Sequence, residues 1–144
     1  MREYQFRGNF LYYVRLAKRL NEATLAAAAR QTGLSLPEAD VLSFLRENPE
    51  FDTAKDVALY REVSRAYVSK AVDALVQRGY LDVTPDPADR RLQHLRITEA
   101  ARDAAEVLHA AQFAFYDRVT AGLSNAEVTA LLATIEKCAA NLVG

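Results

Sequence analysis

Small polar side chains follow Ser64 at the spacing of one helical face. A helical wheel over residues 64–78 separates an apolar arc from a polar arc. The apolar arc contains Val68, Ala71, Val72, Leu75 and Val76, and the polar arc contains Ala66, Ser69, Lys70, Asp73 and Gln77, with Tyr67 at its margin. A helix with hydrogen-bond donors and little bulk on one face can enter the major groove of DNA. Its N-terminus at Ser64 would also offer free backbone N–H groups to a phosphate.

A second chemical signal lies at Asp89, Arg90 and Arg91. The stretch 85–89 has turn composition, and the residues after it alternate as in a strand. Long cationic side chains at such a tip reach beyond the body of the fold, and arginine can enter a narrow minor groove, where the potential is strongly negative. Asp89 itself would be a poor DNA contact. We expect it to orient an arginine through an ion pair or to cap the turn.

The charge distribution agrees with this location, although the chain as a whole is not basic. Its formal net charge is −1. Residues 53–98 carry eight basic and six acidic side chains, a net charge of +2, which leaves −3 for the rest of the chain. The asymmetry is mild, but its sign favours nucleic-acid binding by this segment.

Other reactive side chains are few and lie apart. Cys138 is the single cysteine, which excludes an intrachain disulfide and fits a reducing compartment. Because it falls on an apolar helical stripe, we expect a buried, inert thiol rather than an oxidant sensor. His94 and His109 are too few for a zinc site and are expected on the surfaces of a strand and a helix. The sequence therefore predicts no metal, no cofactor and no enzyme active site.

The elements that must position these residues are mostly helical. Helices are predicted over about 4–31, 35–48, from 52 or 53, 65–78, 98–121 and 124–142, and strands over 80–84 and 94–97. The expected N-caps include Ser35, Ser64, Thr98 and Ser124, and Gly79 should end the fourth helix. The two strands form a hairpin with a charged tip.

The terminal helices carry more apolar surface than one chain can cover. Helices near 25 residues are long for a compact core of this size. Phe10 and Tyr13 lie on the first helix, and Phe113, Leu131 and Ile135 lie on the last two. A second copy would cover these stripes, so we expect a two-fold homodimer. Phe10 and Tyr13 are alternatively candidates for lining an effector pocket beside the DNA-binding lobe, and both interpretations stay open.

The element order and residues 53–98 resemble the MarR family. The matching segments are 53–58 (TAKDVA), 63–75 (VSRAYVSKAVDAL), 78–81 (RGYL), 86–91 (DPADRR) and 95–98 (LRIT). Several positions depart from the family pattern, among them Arg61, Tyr67, Val83, Ala100 and Ala101. Arg61 stands where a leucine usually closes the short helix, a space that Tyr60 is expected to fill. Tyr67 replaces a commoner threonine or serine.

The resemblance implies a mainly α fold with a small β-hairpin wing. A winged helix-turn-helix lobe would span about 34–100, and helices at about 4–31 and 98–143 would form the dimerisation region of one domain, 1–144. The resemblance also implies an obligate homodimer. It implies major-groove contacts from Ser64, Arg65, Ala66, Tyr67, Ser69 and Lys70, and minor-groove contacts from Arg90 and Arg91.

The function expected from these features is sequence-specific transcription regulation at a pseudo-palindromic double-stranded operator. Long dimer helices joined directly to DNA-binding lobes favour a repressor that is relieved by a small-molecule or stress signal. A winged helix that docks a protein partner is the competing function, and salt-insensitive or absent DNA binding would favour it. The sequence has no signal-peptide pattern and no window of about 18 apolar residues, so we expect a cytoplasmic protein without a membrane partner.

Overall fold

The described part of the chain forms six α-helices and one β-hairpin, which lies between the fourth and fifth helices. The structure, a computed structural model, describes residues 3–143, with side chains from Asn9 onward. The helices are α1 (Glu3–Thr32), α2 (Leu36–Glu47), α3 (Ala54–Arg61), α4 (Arg65–Gln77), α5 (Arg102–Val119) and α6 (Asn125–Leu142), and the strands are β1 (Leu81–Pro85) and β2 (Gln93–Ile97). The predicted order and fold class are therefore confirmed, with strand boundaries shifted by about one residue.

Local capping chemistry sets most of the helix starts. The Ser35 hydroxyl accepts a hydrogen bond from the N–H of Glu38, and the Glu38 carboxylate accepts one from the N–H of Ser35. The same reciprocal box opens α6 between Ser124 and Glu127. Thr53 caps α3, which decides between the two predicted candidates, Asp52 and Thr53. These boxes satisfy N–H groups that the first helical turn leaves without partners.

The predicted start of α5 at Thr98 is wrong. The Thr98 hydroxyl makes no cap and instead donates to the Gly79 carbonyl, while its backbone N–H donates to the Tyr80 carbonyl. These bonds tie the end of β2 to the connection after α4. The chain then makes a 3-10 turn at Glu99–Ala101, and α5 begins only at Arg102.

One hydrophobic core joins α2, α4, α5 and the hairpin. Its fully buried members include Leu42 of α2, Leu75 of α4, Leu81 of β1 and Leu108 of α5. Val76, which the sequence analysis placed on the apolar arc, is 40% exposed. At 100° per residue it lies roughly 80° from Val68, at the edge of the buried arc.

The terminal helices leave much apolar surface exposed. Helix α1 packs along α5, but no described residue of α6 is buried. None of the helices within residues 3–143 is long and apolar enough to cross a membrane.

Candidate nucleic-acid interface

The first two turns of α4 present one exposed polar face. Ser64 caps the helix, and its hydroxyl accepts a hydrogen bond from the N–H of Tyr67 at 3.0 Å. The first turn has no acidic side chain, so nothing there opposes the positive end of the helix dipole. Ser64, Arg65, Ala66, Ser69 and Lys70 are exposed, whereas Val68, Ala71, Val72 and Leu75 are buried. This face can approach a phosphate backbone without disturbing the core.

Tyr67 differs from the other predicted contacts. Its side chain is half-buried and packs against the hydrophobic core. It also faces Asp40 and Arg61, and burial, then the Asp40 charge, raises the pKa of its hydroxyl. Tyr67 thus connects α4 to the interior of the lobe. Its role in contacting DNA stays a prediction.

The C-terminal end of α4 is held against the start of α2. Gly79 adopts φ +73°, a left-handed conformation that suits glycine and ends the helix. The Arg78 guanidinium donates to the buried carboxylate of Glu38 and, at 3.2 Å, to the Gly33 carbonyl. Burial acts to raise the pKa of Glu38, but hydrogen bonds from Ser35 and Arg78 outweigh it and hold that pKa below its ordinary value. These contacts fix the direction in which α4 points.

The wing tip is built from backbone hydrogen bonds to two aspartates. One Asp86 oxygen accepts from the N–H groups of Ala88 and Asp89, at 2.8 and 3.0 Å. The Asp89 carboxylate accepts from the N–H of Arg91 at 3.0 Å. The structure therefore contains the capping contact that was one of two alternatives for Asp89. Arg90 and Arg91 are exposed at this turn.

The contacts of His94 were not predicted from the sequence. It was expected on a strand surface, but its side chain is only 34% exposed and both ring nitrogens are engaged. Nδ1 lies 2.8 Å from an Asp52 carboxylate oxygen, and Nε2 lies 2.8 Å from an Asp86 oxygen. Asp52 precedes α3, so the contact crosses 42 positions of sequence. No short-range pattern signals a pairing of that separation.

A cavity of about 420 Å³ lies between α1 and the lobe that contains α2, α3 and α4. Its lining includes Leu25 from α1, Asp40 from α2, Arg61 from α3, Tyr67 from α4 and Gln112 from α5. Phe10 and Tyr13, the predicted effector contacts, are 45% and 56% exposed on α1, and neither lines this cavity.

Two other sequence interpretations change. Cys138 is exposed in the single chain rather than buried, as are its neighbours on α6, where no described residue is buried. His109 hydrogen-bonds Glu47 through Nδ1 and meets the Phe113 ring edge-on, with centroids 4.7 Å apart. Within residues 3–143, no group of three or more metal-binding side chains is arranged to hold an ion.

The comparisons converge on one family. The family model described as MarR family matches residues 32–92. The transcriptional repressor IacR of Pseudomonas putida is 26% identical over 113 residues, 78% of this chain and 67% of its own length. The transcriptional regulator AdcR of Streptococcus pneumoniae is 30% identical over 90 residues, 62% of this chain and 60% of its own length. The matched segments thus leave a third or more of each relative unmatched.

Solved structures show the same fold over nearly the whole chain. A MarR-family regulator from Silicibacter pomeroyi superposes with a TM-score of 0.80 at 23% identity, covering 98% of this chain and 96% of its own. CouR from Rhodococcus jostii, in complex with p-coumaroyl-CoA, has a TM-score of 0.73 at 24% identity and covers 91% and 92%.

Proposed function

Because this chain belongs to the MarR family of transcription regulators, we propose that it represses transcription by binding a pseudo-palindromic operator as a homodimer. The observation that carries the proposal is the α4 face: a capped helix start, exposed polar side chains and buried apolar ones on opposite sides. Ser64, Arg65, Ala66, Tyr67, Ser69 and Lys70 would contact the major groove. Family membership also identifies the chain as a regulator rather than an enzyme.

The wing would make the second contact. Arg90 and Arg91 are exposed at a turn whose backbone is held by Asp86 and Asp89. A rigid turn presents the two guanidinium groups at a lower entropic cost than a mobile loop, and a narrow minor groove attracts them. Asp89 would orient the tip through its bond to the Arg91 N–H.

The homodimer follows from apolar surface that the chain leaves uncovered. Leu132 and Ile135 of α6 are 57% and 53% exposed, and Phe113 and Tyr116 of α5 are 56% and 54% exposed. Apolar area of this extent on two helices is typical of an interface. A two-fold axis would pair the region about 4–31 and 98–143 with its copy and place two lobes, each about 34–100, on successive half-sites. The whole chain, 1–144, would then be one domain.

A small-molecule effector would act through the cavity between α1 and the lobe. The volume of this cavity lies in the range of about 300–1,000 Å³ that small-molecule sites occupy. Tyr67 of α4 and Leu25 of α1 both line it, so a bound ligand would contact the DNA-reading helix and the dimer region together. The bound p-coumaroyl-CoA in the Rhodococcus structure supports ligand control. Such a ligand relieves repression only if it binds more tightly to the dimer conformation whose lobe spacing does not match the operator. Phe10 and Tyr13 remain candidates where the partner subunit completes the pocket.

The deciding experiment measures binding of the purified protein to the intergenic DNA upstream of its own gene. Fluorescence anisotropy across a salt series, with a scrambled duplex as control, separates specific from electrostatic binding. We expect the native duplex to bind more tightly and the affinity to fall steeply with salt. Absent or salt-insensitive binding would contradict the proposal and favour a winged helix that docks a protein. We also propose a cytoplasmic location, which a DNA-binding role supports.

A further inference from the structure

His94 bridges the body of the lobe and the wing. It lies on β2, where Thr84 of β1 is its register partner. Nδ1 is 2.8 Å from Oδ1 of Asp52, and Nε2 is 2.8 Å from Oδ2 of Asp86. One imidazole ring therefore spans two carboxylates from separate segments of the chain.

This geometry favours the doubly protonated state of the ring. Neutral imidazole has one N–H donor and one acceptor nitrogen, whereas imidazolium donates from both nitrogens. An ionised carboxylate only accepts, so a neutral His94 would turn a lone pair towards Asp52 or Asp86. Two short contacts to carboxylates fit the imidazolium form.

Each of the two aspartates also holds a different part of the fold. The backbone carbonyl of Asp52 accepts from the N–H of Leu95 at 2.7 Å, which anchors Asp52 beside β2. The second oxygen of Asp86 caps the N–H groups of Ala88 and Asp89, immediately before Arg90. The proton on His94 thus links the loop before α3 to the turn that carries the wing arginines.

We propose that His94 is a positioning residue for the wing: its protonated ring holds the Asp86 turn, and with it Arg90 and Arg91, in the orientation that binds DNA. Loss of the proton leaves two carboxylates without a shared cation and loosens the wing. DNA affinity therefore falls as pH rises through the titration of His94. The inference rests on the proposed function, since it assigns a proton dependence to the same DNA contact.

The surrounding charges leave this assignment intact. Among the charged groups lining the cavity beside His94, Arg46 of α2 is paired with Glu106 at 3.1 Å, and Arg96 of β2 is paired with Asp82 at 2.6 Å. Asp56 of α3 accepts hydrogen bonds from the N–H and hydroxyl of Thr53. Asp52 and Asp86 are thus the carboxylates that pair with the charged His94 ring.

The direction of the pH effect follows from the raised His94 pKa. Hydrogen bonds to Asp86, then to Asp52, lift that pKa above its ordinary 6.5. The same contact with His94 is the largest cause that lowers the pKa of Asp86. A group with a raised folded-state pKa contributes fully below its ordinary value and loses that contribution as pH rises through the folded value. This arrangement of the protonated His94 ring between Asp52 and Asp86, the His94 clamp, is therefore present at mildly acidic pH and lost at alkaline pH.

The test compares DNA affinity from about pH 6 to about pH 9 at constant ionic strength, the range in which histidine titrates. Wild-type protein should lose about fivefold in affinity over this range, the size of effect that an exposed charge pair produces. His94→Gln should bind weakly and without this dependence, and His94→Lys, a cation throughout the range, should bind equally at both ends. His109→Gln is the matched control, because the chain contains only these two histidines, and it should retain the wild-type profile. An unchanged profile in His94→Gln overturns the proposal.

Nuclear magnetic resonance of the two histidine rings, recorded without DNA, separates failure of the clamp from failure of the proposed function. The clamp predicts that His94 titrates above 6.5 with both nitrogens protonated below that midpoint, and that Asp86→Asn lowers the midpoint. A His94 ring that titrates at its ordinary value, unmoved by Asp86→Asn, overturns the clamp even if DNA binds. A clamped ring in a protein that binds no DNA overturns the positioning role together with the proposed function.

Discussion

The Nε of Arg61 lies 3.1 Å from Oδ1 of Asp40, although it is not aligned for a hydrogen bond. The same guanidinium sits over the Phe44 ring, 5.4 Å from its centroid. Arg61 thereby fastens the end of α3 to α2, at the position where the family pattern carries a leucine. Tyr60, which was expected to fill that space, is 54% exposed. Its ring packs against both Phe51 and Phe44, with centroids 4.7 and 6.1 Å apart.

Replacing Arg61 by methionine should destabilise the protein by about 1–3 kcal/mol at neutral pH, because it leaves the half-buried Asp40 carboxylate without a partner. Burial already raises the pKa of Asp40 above its ordinary 3.8, and the Arg61 charge opposes that rise. A raised carboxyl pKa means that ionisation costs stability as pH rises through the folded value. The loss should therefore shrink at acidic pH, as Asp40 takes up its proton.

Urea unfolding of wild type and Arg61→Met at both pH values measures this difference. The control is Arg61→Met combined with Asp40→Asn, which removes the buried charge and should recover part of the stability at neutral pH. A loss of equal size at both pH values would show that Arg61 acts through packing on Phe44 instead.

The parts of the fold that were predictable from sequence are those specified by short-range chemistry. The boxes at Ser35 and Ser124 and the glycine ending at Gly79 each depend on residues within a few positions of one another. The prediction of α4 had the same basis, since Ser64 and the apolar residues spaced along the helix after it lie within 14 residues. Such patterns survive folding because the groups they satisfy belong to the same turn.

The incorrect predictions concern residues at which a contact with a distant part of the chain competes with a local preference. Thr98 has the residue type of an N-cap, but its hydroxyl bonds Gly79, 19 positions earlier. His94 alternates like a surface strand residue, yet its partner Asp52 lies 42 positions away. Cys138 follows an apolar stripe that is exposed in the single chain, so its burial would require the proposed second copy. Periodicity predicts which face is apolar and not which surface covers it.

The wing arginines should contribute affinity through the phosphate backbone and the minor groove. Changing both Arg90 and Arg91 to alanine should weaken operator binding by about tenfold or more. The slope of log affinity against log salt should become shallower by about 0.9 for each phosphate that the variant no longer neutralises. Arg102→Ala is a matched control. Arg102 is also exposed, but it lies at the start of α5, after the hairpin, and pairs with Glu99. Equal affinity of the double variant and this control would remove the wing from the interface.

Ser64 should serve both the helix and the DNA, and two substitutions separate these roles. Ser64→Ala removes the oxygen that accepts from the Tyr67 N–H and should cost about 1 kcal/mol of stability. Ser64→Asp keeps a capping oxygen, so stability should return towards that of wild type. The negative charge that Ser64→Asp introduces would repel phosphate, so the DNA affinity of this variant should be lower than that of wild type. Thermal unfolding and anisotropy on the same samples measure both effects. Wild-type affinity in Ser64→Asp would place the start of α4 away from the DNA.

The apolar face of α6 should hold the two subunits together. Ile135→Glu puts a charge where the proposed interface is apolar and should convert the dimer to a monomer, as measured by light scattering after size-exclusion chromatography. Affinity for a full operator should then fall by about a hundredfold or more, because each lobe binds its half-site alone. Leu59→Glu is the control: Leu59 is 66% exposed on α3, outside the terminal helices, so this variant should stay dimeric. A dimeric Ile135→Glu would move the interface away from α6.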